Sequence, residues 1–154
     1  MANKDGKKFE DDFKKSVPDS WTCLRLKDAG GWSNAENTRF TVKNVCDFIL
    51  FDTHCLFLLE LKSHLGVSIP AANFRQLDGL LKYQGKQNCS QYFVLNYRKY
   101  NETYIMELQD IQDCLRGRKS VPVSLCRERG VKLPQTIKRT RYRYDLTVFN
   151  KLIF

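Results

Sequence analysis

The sequence predicts an α/β fold, with a mixed central β-sheet of about five strands flanked by helices. Three observations carry that reading. Strand-like apolar runs recur at residues 21–27, 46–62, 91–98 and 103–108. Segments with helical spacing precede the first run, separate the second from the third and follow the last. The runs within 46–62 are apolar on both faces, as strands covered on both sides are. At 154 residues the chain is long enough for one domain with a real core and too short to argue for two.

Each element has a local reason. Phe9, Phe13 and Val17 recur every four residues, which marks an amphipathic helix over 7–17, closed by Pro18. WTCLRLK, from Trp21, is strand-like. Residues 28–44 are polar and rich in Gly and Asn, so they read as a long loop, and loops of that length in a compact domain are usually functional. CDFILFDTHCLFLLELK, from Cys46 to Lys62, reads as a hairpin. HLGVSIP follows as a loop, and Pro70 introduces a helix over about 72–86 whose buried face is Phe74, Leu77, Leu80 and Leu81. QYFVLNYR and TYIMEL read as two more strands turning at Asn101, and a short helix over 109–116 ends near Gly117. No internal repeat or low-complexity segment interrupts this order.

Composition narrows the function. The net charge is +9, and a fixed positive excess attracts polyanions. From Arg129 to Arg143 there are six basic residues and no acid, with Tyr142 and Tyr144 interleaved or following. Basic side chains can neutralise phosphates while aromatic rings pack on sugars or bases, although a solvated basic edge or tail has the same composition. No apolar run approaches the roughly 20 residues of a membrane span, so no membrane partner is expected. The charged N-terminus lacks the apolar stretch of a secretion signal, so export is not expected. The six cysteines are expected to be reduced thiols. None falls at zinc-site spacing, and neither do His54 and His64.

The charges inside the apolar hairpin are the main clue. If the turn is centred between Thr53 and His54, paired residue numbers sum to 107, and Asp47 lies directly opposite Glu60. With side chains alternating at period two, Glu60 and Lys62 share a face, and Lys62 stands opposite Val45. Two carboxylates facing each other across a ladder repel unless a cation neutralises them. A divalent ion with hard oxygen ligands, Mg²⁺ or Mn²⁺, would do so, and the Leu61 backbone carbonyl is placed to add a third oxygen. Lys62 could then orient a water or stabilise charge developing on a phosphate. The bland alternative is a structural Glu60–Lys62 ion pair with Asp47 capping a turn.

CDFILFD followed by LLELKS resembles the core of the PD-(D/E)xK nuclease superfamily. The continuation ELKS-x-x-G-x-S-I-P, with Asn73 and Gln76 downstream, and the closing RYRYDLTVF resemble the RecU-type Holliday junction resolvases in their short, phage-like form. The resemblance runs from GKKFEDDF to RYDLTVF. It implies a restriction-endonuclease-like core in a single nuclease domain, with 28–45 as a loop or projection and 129–154 as a basic C-terminal segment. It further implies a Mg²⁺-dependent or Mn²⁺-dependent endonuclease acting on four-way junctions as a homodimer, in the cytoplasm of a bacterial host if phage-encoded. Partner recombination proteins are not indicated.

Carried over residue by residue, Asp47, Glu60 and Lys62 match the catalytic triad, with Asp47 and Glu60 as metal ligands. Glu10 matches an acid that reaches the metal, often through water, and Gln76 matches a glutamine of the helix behind the hairpin. Read without the resemblance, Glu10 is a surface partner of Lys14, and Gln76 is a solvated residue sharing a stripe with Gly79 and Tyr83. Gly79 is expected to let its helix approach the sheet closely. Ser63 is a minor site residue and His64 a loop residue. Cys46 stands where the superfamily name has proline, and by alternation its side chain should point away from the metal face. Phosphate contacts are expected from Lys7, Lys8, Arg25, Arg39, Lys43, Arg75, Lys82, Arg139, Arg141 and Arg143. The competing functions are a nuclease for linear duplex or other branched DNA, and a non-catalytic DNA-binding accessory protein.

Overall fold

The computed structural model describes residues 4–26 and 44–152. Most of the 28–45 segment, including Arg39 and Lys43, lies outside them. A helix, α1 (Lys4–Lys15), opens the fold, with Asp5 in its first turn and Lys14 and Lys15 in its last, the signs that complement the helix dipole. Four strands follow, β1 (Thr22–Arg25), β2 (Phe48–Phe51), β3 (Leu56–His64) and β4 (Ser68–Pro70). A 3₁₀ turn at Ala71–Phe74 leads into α2 (Leu77–Leu81), and then come β5 (Cys89–Tyr97), β6 (Glu102–Glu107) and α3 (Leu108–Gly117). The C-terminal third adds β7 (Ser120–Pro122), α4 (Val123–Arg129), β8 (Val131–Lys132), β9 (Gln135–Lys138), β10 (Arg141–Tyr144) and a 3₁₀ segment at Leu146–Lys151.

The class is the expected one, a mixed sheet flanked by helices, with six strands in the order β1-β2-β3-β5-β6-β8. Pairs β1–β2, β2–β3, β5–β6 and β6–β8 are antiparallel, and β3–β5 is parallel across the α2 crossover. Two small sheets, β4–β7 and β9–β10, flank it. The main sheet is buried on both faces. On one side Leu58, Phe93 and Leu95 meet Phe74, Leu77, Leu80, Ile111 and Cys126 of the 3₁₀ turn and helices α2, α3 and α4. On the other, Phe48, Phe57 and Val94 meet Phe9 and Phe13 of α1, Tyr144 of β10 and Phe149. Burying one phenylalanine contributes on the order of 1.5–3 kcal/mol, so these rings fix α1 against the strands.

The β2–β3 register is the one the sequence predicts: Phe48 pairs with Leu59 and Ile49 with Leu58, each summing to 107. The turn between them is closed by Asp52, whose Oδ1 accepts from the His54 and Cys55 N–H groups at 2.8 and 2.7 Å. Thr53 takes φ 86°, a region costly for a β-branched residue, and the two flanking bonds hold it there.

Several expectations are corrected. The helix expected over 72–86 is shorter and starts as a 3₁₀ turn: Arg75, Gln76 and Lys82 keep right-handed helical angles on either side of α2, and the chain leaves them before Gly85 at φ 80°. His64 ends β3 and is not a loop residue, and Ser68–Pro70 in the expected loop pairs with Ser120–Pro122. A Cβ at Gly79 would meet nothing within 4 Å, so this glycine marks open space, not a close approach. Val17 lies beyond the end of α1, packed at the margin of the core.

Candidate active site

Glu60 sits in β3, the second strand of the hairpin, 1% exposed and continuous with the face that carries Leu58. Its Oε1 lies 2.7 Å from the Lys62 Nζ, two residues along on the same face. Asp47 arrives from the opposite strand. Beyond the paired residues Phe48–Phe51 the Asp47 N–H donates to the Leu59 carbonyl at 3.0 Å, so the pairing slips by one and Asp47 and Phe48 both oppose Leu59, while the Asp47 side chain still lies close enough to Glu60 to act on its carboxyl. The Leu61 N–H donates to Asp47 Oδ2 at 2.8 Å. Because the N–H and C=O of an extended residue point the same way, the Leu61 carbonyl also faces this gap beyond the end of β2.

Electrostatics follow from the geometry. Burial, and then the facing Asp47, push the Glu60 carboxyl up to about 8, against the opposing pull of Lys62. A proton shared between the two acids relieves their repulsion. Cys46 lies on this side of the sheet as well, contrary to the expected alternation: it packs with the cluster containing Leu58, and burial together with Glu60 pushes its thiol up to about 12. The reason is that β2 begins only at Phe48, so period-two alternation does not reach back to residue 46.

The pair opens into a cleft of about 960 Å³. Gly6, Lys7 and Glu10 of α1 form one wall, Arg25 and Leu26 another, and Asn73, Arg75 and Gln76 of the crossover a third, with Asp47, Leu61, Lys62 and Ser63 at the floor. Asp47, Lys62, Glu10, Gln76 and Leu61 thus share one cavity lining, with Glu60 buried beneath it. Glu10 does not pair with Lys14. Its Oε2 lies 2.6 Å from one Arg25 nitrogen, while the other donates to Asp11 at 2.7 Å. Arg25 is the residue that sequence reasoning assigned to phosphate and missed as a partner of Glu10, fifteen positions away on another element. Ser63 donates to Asn96 Oδ1 at 2.8 Å, and the chain of bonds continues through Thr103 to Gln135.

Among the described residues no cluster of three or more His, Cys, Asp or Glu side chains is spaced to hold a metal ion, and Glu10 is paired with Arg25. The donors at the gap nevertheless suit a hard divalent cation: two opposed carboxylates, the Leu61 carbonyl, and Gln76 Oε1, a buried acceptor with no hydrogen-bond partner among the described residues.

The other expected phosphate-binding residues separate into two groups. Lys7 and Arg75 stand at the cleft and are exposed, and Lys82 is exposed nearby on the same crossover. Lys8 is exposed on α1, and Arg139 is exposed at the tip of the β9–β10 hairpin at φ 61°. Arg141 and Arg143 instead turn toward Asp12, which is 2% exposed. Arg141 Nε lies 2.6 Å from its Oδ1, Arg143 lies at 3.9 Å, and the Tyr142 N–H donates to its Oδ2 at 3.2 Å. That cluster fastens the C-terminal hairpin to α1, and nothing local in the sequence signals a contact 129 residues apart.

No protein-family model matches the chain, and no curated protein matches it. Among solved structures it is similar to Hjc, a Holliday junction resolvase from Archaeoglobus fulgidus, at 14% identity and a TM-score of 0.48, over 73% of this chain and 83% of that one. A similarity at that level assigns neither family nor function. No helix among the described residues is long and apolar enough to cross a membrane.

Proposed function

We propose that the chain is a divalent-metal-dependent endonuclease that resolves four-way DNA junctions. The single observation that carries the nuclease reading is the pair of neighbouring acids, Asp47 and Glu60, with the Lys62 Nζ 2.7 Å from Glu60 on the floor of a cleft rimmed by Lys7 and Arg75. A structural ion pair has no need for the second carboxylate. Choice of the junction over other DNA rests on the resemblance of ELKS-x-x-G-x-S-I-P and RYRYDLTVF to RecU-type resolvases, which also supplies the homodimer with one site per protomer and paired symmetric nicks.

A Mg²⁺ or Mn²⁺ ion held by Asp47, Glu60 and the Leu61 carbonyl would polarise the scissile phosphate and acidify a bound water. The residues of this chain do the rest. Lys62 projects from Glu60 toward the cleft, where its ammonium can orient the attacking water or meet charge developing on the phosphate. Gln76 offers an unpartnered acceptor to that water. Lys7 and Arg75 hold the backbone on either side. Water oxygen adds to phosphorus, one ester P–O bond breaks, and the products are a phosphomonoester and a hydroxyl.

The test is cleavage of a four-way junction against an equal-length duplex in Mg²⁺, with wild type and Lys62→Ala. The junction should be cut preferentially, and Lys62→Ala should lose at least about a hundredfold in rate, as removal of a positioned electrostatic group does. Lys62→Ala and Asp47→Asn should still bind the junction, with affinity that falls steeply with salt. Equal rates on both substrates would instead make this a nuclease for linear duplex. Binding without any cleavage would make it an accessory module.

A further inference from the structure

Next to the cleft lies a second cavity of about 500 Å³, within the range of pockets that take small ligands. One wall is a helical face: Arg75, Gln76, Gly79, Lys82 and Tyr83 recur at the spacing that brings residues one and two turns apart into line. The opposite wall is Asn44 and Val45, two residues short of Asp47. Arg75 and Gln76 line both cavities, so the two spaces are continuous.

The groove combines cations with an exposed ring. Arg25, Arg98, Arg127 and Arg141 each lie within 3 Å of a carboxylate. Arg75 and Lys82 have no acidic partner among the described residues, and no acid lines the groove. Tyr83 is 39% exposed, a large ring left at the surface. Between Tyr83 and Gln76 the floor is Gly79, above which a Cβ would meet nothing within 4 Å. An exposed ring beside a bare floor and two cations with no acidic partner among the described residues is an arrangement suited to single-stranded nucleic acid, which binds by stacking and charge.

We propose that this groove holds one unpaired nucleotide of the strand being cut, its base on the Tyr83 ring and its flanking phosphates on Arg75 and Lys82. The inference rests on the nuclease reading for its placement next to the scissile phosphate. It supplies a physical basis for choosing branched DNA over linear duplex, because stacking is interrupted at a branch point and a base there is most easily freed to enter.

The test is binding in EDTA, which separates it from cleavage. The probes are a branched DNA with one unpaired nucleotide at its branch point and a paired duplex of equal length, each carrying 5-iodouracil at that position. Irradiation should crosslink the branched probe to Tyr83. Tyr83→Ala should weaken branched binding by about tenfold, the order expected for loss of one base–aromatic stack, while Tyr83→Phe retains it. Gly79→Leu, whose Cβ meets nothing within 4 Å, fills the groove and should weaken branched binding as Tyr83→Ala does, with the thermal midpoint not lowered. Wild-type affinity in both Tyr83→Ala and Gly79→Leu, or equal losses on branched and paired probes, would overturn the proposal. If wild type cuts no DNA in Mg²⁺ while the Tyr83-dependent binding persists, the nuclease reading fails and the nucleotide site stands.

Discussion

Two glutamates in this fold each have a cation close by, and their carboxyls move in opposite directions. Glu60 lies 2.7 Å from Lys62 and is pushed up to about 8, whereas Glu102 lies 2.9 Å from Arg127 and is pulled down to about 2. Glu102, on a sheet strand near the surface, receives two bonds from the Arg127 fork and one from the Tyr104 hydroxyl, at 2.6 to 3.0 Å. All three bonds there favour the anion and outweigh its slight burial. Glu60 has one compact ammonium, almost no solvent, and a second carboxylate in front of it. A cation beside an acid therefore does not decide whether the acid is structural. What sets the direction is the balance of burial and neighbouring charge, and at Glu60 burial and the nearby Asp47 outweigh Lys62.

The largest effect that can break this comparison is the pH dependence of stability in the metal-free protein. For Glu60 the folded value is raised, so the folded state holds a proton that the unfolded chain gives up. Its contribution is fully present below about 4.5 and is lost as pH rises toward about 8. Denaturant unfolding in a chelator should show stability falling between pH 5 and 8, by up to about 1.4 kcal/mol per pH unit, and Glu60→Gln should remove that slope. An identical slope in the variant would place the proton elsewhere. At Glu102 the sign reverses: the folded value is lowered, so its contribution is present above about 4.5 and is lost only as pH falls through about 2. Glu102→Gln should therefore leave the profile between pH 5 and 8 unchanged and shift the unfolding midpoint less than Glu60→Gln, with high salt removing most of the difference.

The hairpin was the most legible part of the molecule. Two apolar runs around the short turn closed by Asp52 predict the register that holds over Phe48–Phe51; the pairing slips by one at Asp47, whose side chain nonetheless lies beside Glu60. The mixed sheet and the α1 stripe of Phe9 and Phe13 were legible for the same reason, since burial periodicity is written locally. What lay beyond reach was fixed by distant partners. Arg141 and Tyr142 are held by Asp12 and the Tyr144 N–H by Ser16 at 2.9 Å, so the basic segment that reads as a tail is a docked hairpin. Likewise, Glu10 faces the cleft in the company of Arg25, not Lys14. α4, with only Val123 and Cys126 buried, is too short to show a period. The side of the sheet taken by Cys46 failed because alternation was extended past the first residue that obeys it.

The central claim is that Asp47 and Glu60 form a cation site, and calorimetric titration of Mn²⁺ into the chelator-stripped protein at pH 8 tests it most directly. The wild type should bind with a saturable isotherm, while Asp47→Asn and Glu60→Gln should each weaken binding by at least about tenfold. Variants that bind Mn²⁺ as the wild type does would contradict the claim.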